Sequence, residues 1–597
     1  MKETTGTGDA VLAEDAHLLR PLLDHARLTP ERALLASRSG ARFVTHTARE
    51  VEQTVRRLAR GLLAIGVEPG QRVALMSRTR LEWALLDFAI LMAGGVTVPI
   101  YDTSSADQVE WIVQDSEAEV AFFEHHKMHA VFQSVAERLP RCRQTFVIDE
   151  GAFEHLMRLG EGVDAGRVEE RLAGLRASSL ATIIYTSGTT GRPKGCMLSH
   201  GNLRANVRQV LQLGQGMLRP EDRTLLFLPL AHSLAKILFL LSLELGAEVA
   251  FSSGISQLNE ELLLVRPDWM VAVPRVFEKI FHGAQRRAWS AGKEKAFSLA
   301  EEVAIRTSRE RAGGHLALRT RVLHAVLDRL VYRRLRAAFG GRLRFAVSGG
   351  GPLSERLTRF FDGVGVEVLE GYGLTESSPV LTLNVHSAWK PGSVGRPLPG
   401  TTLRIADDGE VLARGPQVFE GYWHNEAATR DTLTPDGWLR TGDLGSLDED
   451  GYLRITGRKK ELLVTAGGKN VAPAPLEERL RAHPLVSQAV VVGDGLPFVA
   501  ALVTLDAERL RDWAGEHGRS GQTVEQLVGT PELRAELQHA IEDANRPVSR
   551  AEAIREFAIL PNDFTVESDE LTPSLKVKRG LVTQRYASVI SAMYAQP

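Results

Sequence analysis

Cysteine is nearly missing: Cys142 and Cys196 are the only two in 597 residues, too few and too far apart for a disulfide framework or a cysteine-rich zinc site. That economy suits a reducing compartment, so the cytoplasm is the expected location. An excess of one charge is missing too. Lysine and arginine number 72 against 74 acidic residues, a formal net charge of −2, so no overall field points to nucleic acid and none is expected as a partner. The opening MKETTGTGDAVLAEDAH lacks the basic start and apolar stretch of a secretory signal, and no export is expected. Long hydrophobic runs are absent as well. FAILMAGGVTVPIY after Asp87 and ILFLLSLELGAEVAF after Lys236 are cut by proline or acids before the roughly 18 residues a membrane span needs. No internal repeat or low-complexity tract is present, and 44% apolar with 24% charged residues excludes disorder, collagen and coiled coil as the main architecture.

At roughly 150 residues per unit, this length implies several domains. Apolar runs at RVALMS, TVPIY, VAFFE, TFVID and ATIIYTS alternate with helical patterns, which predicts α/β layers. Val51, Leu58, Leu62, Leu63 and Ile65 fall at helical spacing and end at Gly66. Residues about 278–340 break the rhythm with an arginine- and alanine-rich helical insertion. Its charges suit a solvated face, with a membrane-surface or partner-binding face as the second reading. A β-rich subdomain is expected at about 390–458, with hairpin turns at Asp408-Gly409 and Asp450-Gly451. The large domain then spans 1–458, and a small α+β domain spans 459–597.

The strongest signal is Tyr185-Thr186-Ser187-Gly188-Thr189-Thr190-Gly191-Arg192-Pro193-Lys194-Gly195 after the strand ATII. Glycines let backbone N–H groups approach anionic oxygens, and the hydroxyls add donors, so the segment reads as a phosphate cradle. It does not fit the Walker loop in either register. Here the chain resembles the adenylate-forming superfamily, closest to long-chain fatty acid:CoA ligases. Further motifs match in order: Phe227-Leu228-Pro229-Leu230-Ala231-His232, Gly371-Tyr372-Gly373-Leu374-Thr375-Glu376, Gly392-Ser393-Val394-Gly395, Trp438-Leu439-Arg440-Thr441-Gly442-Asp443, Gly457-Arg458-Lys459-Lys460-Glu461 and Leu571-Thr572-Pro573-Ser574-Leu575-Lys576.

The resemblance implies an α/β fold. Its large N-terminal domain has two α/β sheet subdomains, a β-rich subdomain and the helical insertion; its small C-terminal domain is mobile. It implies ATP and coenzyme A as co-substrates and Mg²⁺ as cofactor. The substrate carboxylate attacks the α-phosphate of ATP, giving an acyl adenylate and pyrophosphate. Such a carboxylate is already ionised at neutral pH, so charge neutralisation and alignment replace a general base. By resemblance, Thr186, Ser187, Gly188, Thr189, Thr190, Gly191 and Lys194 bind the nucleotide's phosphates. Thr375 bonds the α-phosphate, Glu376 holds Mg²⁺, Tyr372 between Gly371 and Gly373 stacks on adenine, Asp443 accepts from the ribose hydroxyls, and Arg458 contacts ribose or phosphate. Lys576 bridges the carboxylate and the α-phosphate, although the glycine that often precedes this lysine is Leu575 here.

His232 is expected at the wall between nucleotide and acyl pocket, and Gly349, Gly350 and Gly351 leave room for a long apolar acid. Coenzyme A is the expected acceptor, facing Gly467, Gly468 and Lys469. The alternatives are a fatty acyl-AMP ligase loading a carrier protein, or a CoA ligase for an aryl or shorter acid. Lys576 and the Gly467-Gly468 loop serve different half-reactions at one site, so the small domain is expected to rotate about Lys460. Peripheral contact with a membrane is compatible with this reading. Cys196, beside the phosphate loop, is expected to be a packing residue.

Overall fold

A computed structural model describes residues 2–8, 12–186, 192–466, 468–566, 568–572 and 575–595. The five apolar runs form parallel strands of one seven-stranded sheet, in the spatial order 421–422, 194–199, 180–186, 96–100, 72–76, 120–123, 144–147. Lys194–Ser199 and Gly421–Tyr422 add antiparallel strands at one edge. The helix Leu81–Met92 is apolar on every side because it packs against this sheet and also against the strand Ala33–Ser39 of a second one. Helices buried on all faces lose the usual polar stripe.

The second layer joins two sheets. Arg223–Leu226, Glu248–Phe251, Ala33–Ser39 and Arg42–Thr47 form one; Trp269–Ala272, Phe345–Ser348, Glu367–Gly373, Val380–Leu383 and Arg396–Pro397 form the other. Asp268 ties them, its N–H donating to Arg223 O at 2.8 Å while its carboxylate accepts from Arg223 N at 3.0 Å. The helix Ser233–Leu245 carries one charge into this apolar layer, Lys236, whose Nζ donates to Asp87 Oδ1 at 2.9 Å and Oδ2 at 3.1 Å with neither side chain exposed. Removing one partner would strand the other, at a cost of about 3–5 kcal/mol. The pair therefore pins the helix that begins at His232.

A five-stranded antiparallel sheet is built from Glu3–Thr5, Thr402–Ile405, Glu410–Arg414, Leu439–Leu447 and Leu453–Arg458. Gly409 and Gly451 take φ of +84° and +80° in its hairpins, a conformation glycine adopts without a Cβ clash. Arg396–Pro397, inside the stretch expected to be β-rich, pairs instead with Val380–Leu383 of the neighbouring sheet. The arginine-rich stretch forms helices Pro274–Ser290, Glu294–Ala312, Leu318–Leu327 and Arg333–Ala338, with a π-turn at Asp328–Tyr332. It is anchored rather than detached, since Phe297, Ala300, Val303 and Ala304 enter the main core.

Beyond Arg458 a separate core gathers around the strands Val486–Val492, Val499–Leu505 and Ile554–Ile559. Among the described residues no helix is long and apolar enough to cross a membrane.

Candidate active site

Several expected residues lie at or just past the carboxyl ends of parallel strands, where open α/β sheets bind ligands: Thr186 ends Leu180–Thr186, Gly349 follows Phe345–Ser348, and Tyr372 lies near the end of Glu367–Gly373. Thr186 pairs with Lys194 at the neck of the phosphate loop; Ser187, Gly188, Thr189, Thr190 and Gly191 lie outside the described residues. The neck itself is fixed. Trp111 Nε1 donates to Pro193 O at 2.8 Å, Trp423 N donates to Gly195 O at 2.7 Å, and the Arg192 guanidinium lies 4.6 Å from the Trp111 ring centroid. The Lys194 ammonium lies over the Tyr422 ring at 5.2 Å.

Tyr422 also aims Glu376: its hydroxyl donates to Oε1 at 2.6 Å. Burial, and then the Glu376 charge, push the phenol well above its usual pKa, so it stays a donor. Next to it, Thr375 Oγ1 is buried 3.3 Å from Ser233 Oγ. Gly373 precedes them where a Cβ would stand 1.8 Å from Pro379 O, so glycine alone fits, while at Gly371 a Cβ would meet Leu383 Cδ1 at 3.1 Å.

Both oxygens of the Asp443 carboxylate are engaged in this structure. Oδ2 accepts from the Tyr372 hydroxyl at 2.7 Å and Oδ1 from Arg458 Nε at 2.8 Å. An ionised carboxylate has about four acceptor positions, so capacity for a diol remains. Tyr372 is thereby tied by its hydroxyl.

Lys576 reaches this group from the small domain. Its backbone is held by Thr572, which donates from N to Lys576 O at 2.8 Å and accepts at Oγ1 from Lys576 N at 3.0 Å. Its side chain remains exposed to water yet stands 4.0 Å from where a Gly350 Cβ would be. Crowding by protein lowers the ammonium's pKa, with help from the Arg458 charge and against Asp443 and Glu461. Among the described residues Lys576 makes no ion pair.

His232 caps the helix Ser233–Leu245, its Nδ1 accepting from Leu234 N at 3.1 Å. The ring proton therefore sits on Nε2. Burial, then the Lys576 charge, hold the imidazole down at about 4, so it is neutral at physiological pH. Beside it, a Cβ at Gly349 would touch Leu234 at 3.5 Å and one at Gly350, where φ is +82°, would touch Val273 at 3.7 Å. At Gly351 the nearest atom would be Pro274 Cγ at 3.7 Å. These are ordinary van der Waals contacts rather than the tight crossing seen at Gly373.

The loop expected to face coenzyme A is elsewhere. Gly467 lies outside the described residues; Gly468 N donates to Thr465 O at 2.7 Å, and Lys469 pairs with Glu552 of the same domain at 3.2 Å. The Lys576 side of the small domain thus faces the cleft in this arrangement. Lys460 is exposed within the 3₁₀ turn Lys459–Glu461, directly after Arg458, while Lys459 pairs with Asp408 at 2.6 Å and Glu410 at 3.1 Å. Cys196 is fully buried and burial pushes its thiol well up, as a packing residue requires.

Sequence reading missed Tyr422, Ser233 and Glu461, each of which touches or faces an expected residue. The available signal for Tyr422 was an aromatic pair, Tyr422-Trp423, in an otherwise polar stretch.

This architecture is that of adenylate-forming enzymes. It is similar to an anthranilate CoA ligase solved with anthranoyl-AMP (TM-score 0.74, 21% identity, 97% of this chain and 99% of that one). It is also similar to the adenylation domain of a carboxylate reductase from Mycobacterium chelonae (TM-score 0.76, 24% identity, 98% and 92%). Residues 22–423 match the AMP-binding enzyme family and residues 460–597 its C-terminal domain, and the chain belongs to that family. Over the full length of both, it is 46% identical to a long-chain-fatty-acid–CoA ligase, FadD15, of Mycobacterium bovis. It is 33% identical to the peroxisomal long chain acyl-CoA synthetase 7 of Arabidopsis thaliana, over 90% of this chain and 79% of that one.

Proposed function

We propose that the protein is an AMP-forming long-chain fatty acid:CoA ligase. The observation that carries the reading is that Lys576 of the small domain stands 4.0 Å from the Gly350 Cβ position, where the charges of the Asp443–Arg458 pair act on its ammonium. Full-length similarity to FadD15 supports it. In the first step a carboxylate oxygen bonds to the α-phosphorus of ATP and the bond to pyrophosphate breaks. Two anions must meet in line, and Lys576 supplies the charge that lets them. Thr375 donates to the α-phosphate, Asp443 accepts from the ribose, and Lys194 with the loop 187–191 holds the outer phosphates. In the second step the coenzyme A sulfur bonds to the acyl carbon, its thiol proton is lost, and AMP leaves with the bridging oxygen.

Glu376 fits Mg²⁺, which takes one or two carboxylates plus phosphate oxygens and water: Tyr422 fixes one of its oxygens and the other remains for the ion. When bound, the ion would neutralise phosphate charge. The neutral His232 and the glycines Gly349, Gly350 and Gly351 would wall an apolar acyl site. The small domain, residues 459–597, would turn about Lys460 to bring Gly467, Gly468 and Lys469 to the cleft for the second step.

The test is AMP release with coenzyme A across acids of increasing length. Each buried CH₂ contributes about 0.8 kcal/mol until the site is full, so rates should favour acids of about 12 to 18 carbons; a flat or acetate-favouring profile contradicts the reading.

Both cysteines are free thiols, which supports a reducing, cytoplasmic setting. Peripheral membrane contact is supported by one surface. Leu318, Val322, Val326 and Leu330 recur every four residues, 75%, 57%, 49% and 60% exposed, among Arg319, Arg321, Arg329 and Arg334. Guanidinium groups interleaved with aliphatics suit an anionic lipid surface. Co-sedimentation with phosphatidylglycerol vesicles, weakened by salt and by Val322→Glu, is expected; equal binding to neutral vesicles or none to either contradicts it.

A further inference from the structure

The helix Pro274–Ser290 begins at the cleft and runs along the small domain. Val273 and Pro274 are the nearest neighbours of Gly350 and Gly351; the next residue, Arg275, reaches across. Its Nη1 donates to Ser487 O at 2.8 Å and its Nη2 to Ser487 Oγ at 2.7 Å. Ser487 is almost fully buried and its hydroxyl donates a hydrogen bond to Asp563, which also accepts from Thr504 Oγ1 at 2.5 Å. Farther along the helix Arg286 pairs with Glu508, and the Arg509 guanidinium lies 6.0 Å from the Trp289 ring centroid.

The strand that carries Ser487, Val486–Val492, also anchors the catalytic loop. Arg579 Nη1 donates to Val491 O at 2.8 Å and its Nη2 to Glu477 Oε1 at 2.5 Å, and Glu477 accepts from Val491 N at 2.7 Å. Arg579 stands three residues after Lys576. One rigid strand therefore links the arginine contact at one end to the lysine loop at the other. Charge at this seam works in the same direction. Arg275 lies 3.5 Å from Glu278; burial raises the Glu478 carboxyl of the small domain, with Arg481 opposing and Glu278 adding to the rise. Glu370 of the large domain is raised in turn to about 8 by burial and Glu478.

We propose that Arg275 is a positioning residue for the first half-reaction: by clamping Ser487 it holds the small domain in the orientation that puts Lys576 in the cleft. The bidentate donation of a planar guanidinium gives that contact a direction as well as strength. The clamp must open for the second half-reaction, so it favours one step and not the other. This inference rests on the role given to Lys576 above.

The experiment measures the two half-reactions separately in the full-length enzyme: single-turnover pyrophosphate release from ATP and palmitate, and thioester formation from supplied palmitoyl adenylate and coenzyme A. Arg275→Ala should slow the first by about 10- to 100-fold, the scale of a displacement of about an ångström, and leave the second within about twofold. Arg275→Lys, which keeps the charge and one donor at a time, should recover part of the loss. Arg275→Gln serves if the alanine variant does not fold. Parental pyrophosphate release in these variants, or an equal fall in both steps, would overturn the proposal. Lys576→Ala separates the two layers of the argument. If that variant keeps its first step, the role of Lys576 is wrong; if it loses the first step while Arg275→Ala does not, only the clamp is wrong.

Discussion

At the scale of single residues, the proposed Mg²⁺ role of Glu376 rests on its contact with Tyr422. The tyrosine hydroxyl donates to one carboxylate oxygen at 2.6 Å, which fixes the direction of the other. Tyr422→Phe removes that bond and nothing from the cleft's charge, so it should raise the Mg²⁺ concentration for half-maximal pyrophosphate release severalfold. Glu376→Ala should cost about 3 kcal/mol of adenylation, the scale of one preorganised electrostatic partner. Superimposable Mg²⁺ titrations for parent and both variants would refute the assignment. Tyr422 was not legible because its function is a contact with a residue 46 positions away. The Lys236–Asp87 pair was closer to the surface of the sequence. Those two charges stand at the heads of the two most apolar runs, and opposite charges in otherwise apolar helices are each other's natural partners.

At the scale of elements, the helix His200–Leu213 holds the segment before Arg20–Leu28. Leu18 N donates to His200 Nδ1 at 3.2 Å, and Arg204 Nη1 donates to His17 O at 2.7 Å. Burial, then the neighbouring His17 and Lys236, bring His200 down to about 3; burial, then Arg204, bring His17 down to about 4. Both folded values lie below the unfolded 6.5. The unfolded chain therefore binds protons that the native chain refuses, and stability falls as pH drops from 6.5 toward those values. The fall is up to about 1.4 kcal/mol per pH unit per histidine. Thermal midpoints taken from about pH 7 to about pH 5 should decline, and His200→Gln should flatten the decline; parallel curves for parent and variant would contradict it.

Hairpin turns at Gly409 and Gly451 were legible from their Asp-Gly dipeptides, whose glycine adopts a positive φ without a Cβ clash. Glu3–Thr5 was not, since three polar residues carry no alternation and the partner strand Thr402–Ile405 lies at the far end of the large domain. Arg396–Pro397 joined an unexpected sheet for a related reason: a two-residue strand has no pattern of its own.

The whole molecule is a large domain and a smaller C-terminal one, and Lys576 of the small domain stands beside Gly350 of the large one. The division was legible as a change of texture after Gly457, because each domain buries its own core. The relation between the domains was not, because Arg275, Ser487 and Arg579 mark an interface only once the chain is folded. The central claim is that one oxygen of the fatty acid becomes bonded to the α-phosphorus of ATP before coenzyme A enters. Palmitate with both carboxyl oxygens replaced by the heavy isotope tests it directly, with the products read by mass spectrometry. The account predicts AMP carrying one heavy oxygen and a thioester retaining the other; unlabelled AMP, or ADP with label in orthophosphate, would contradict it.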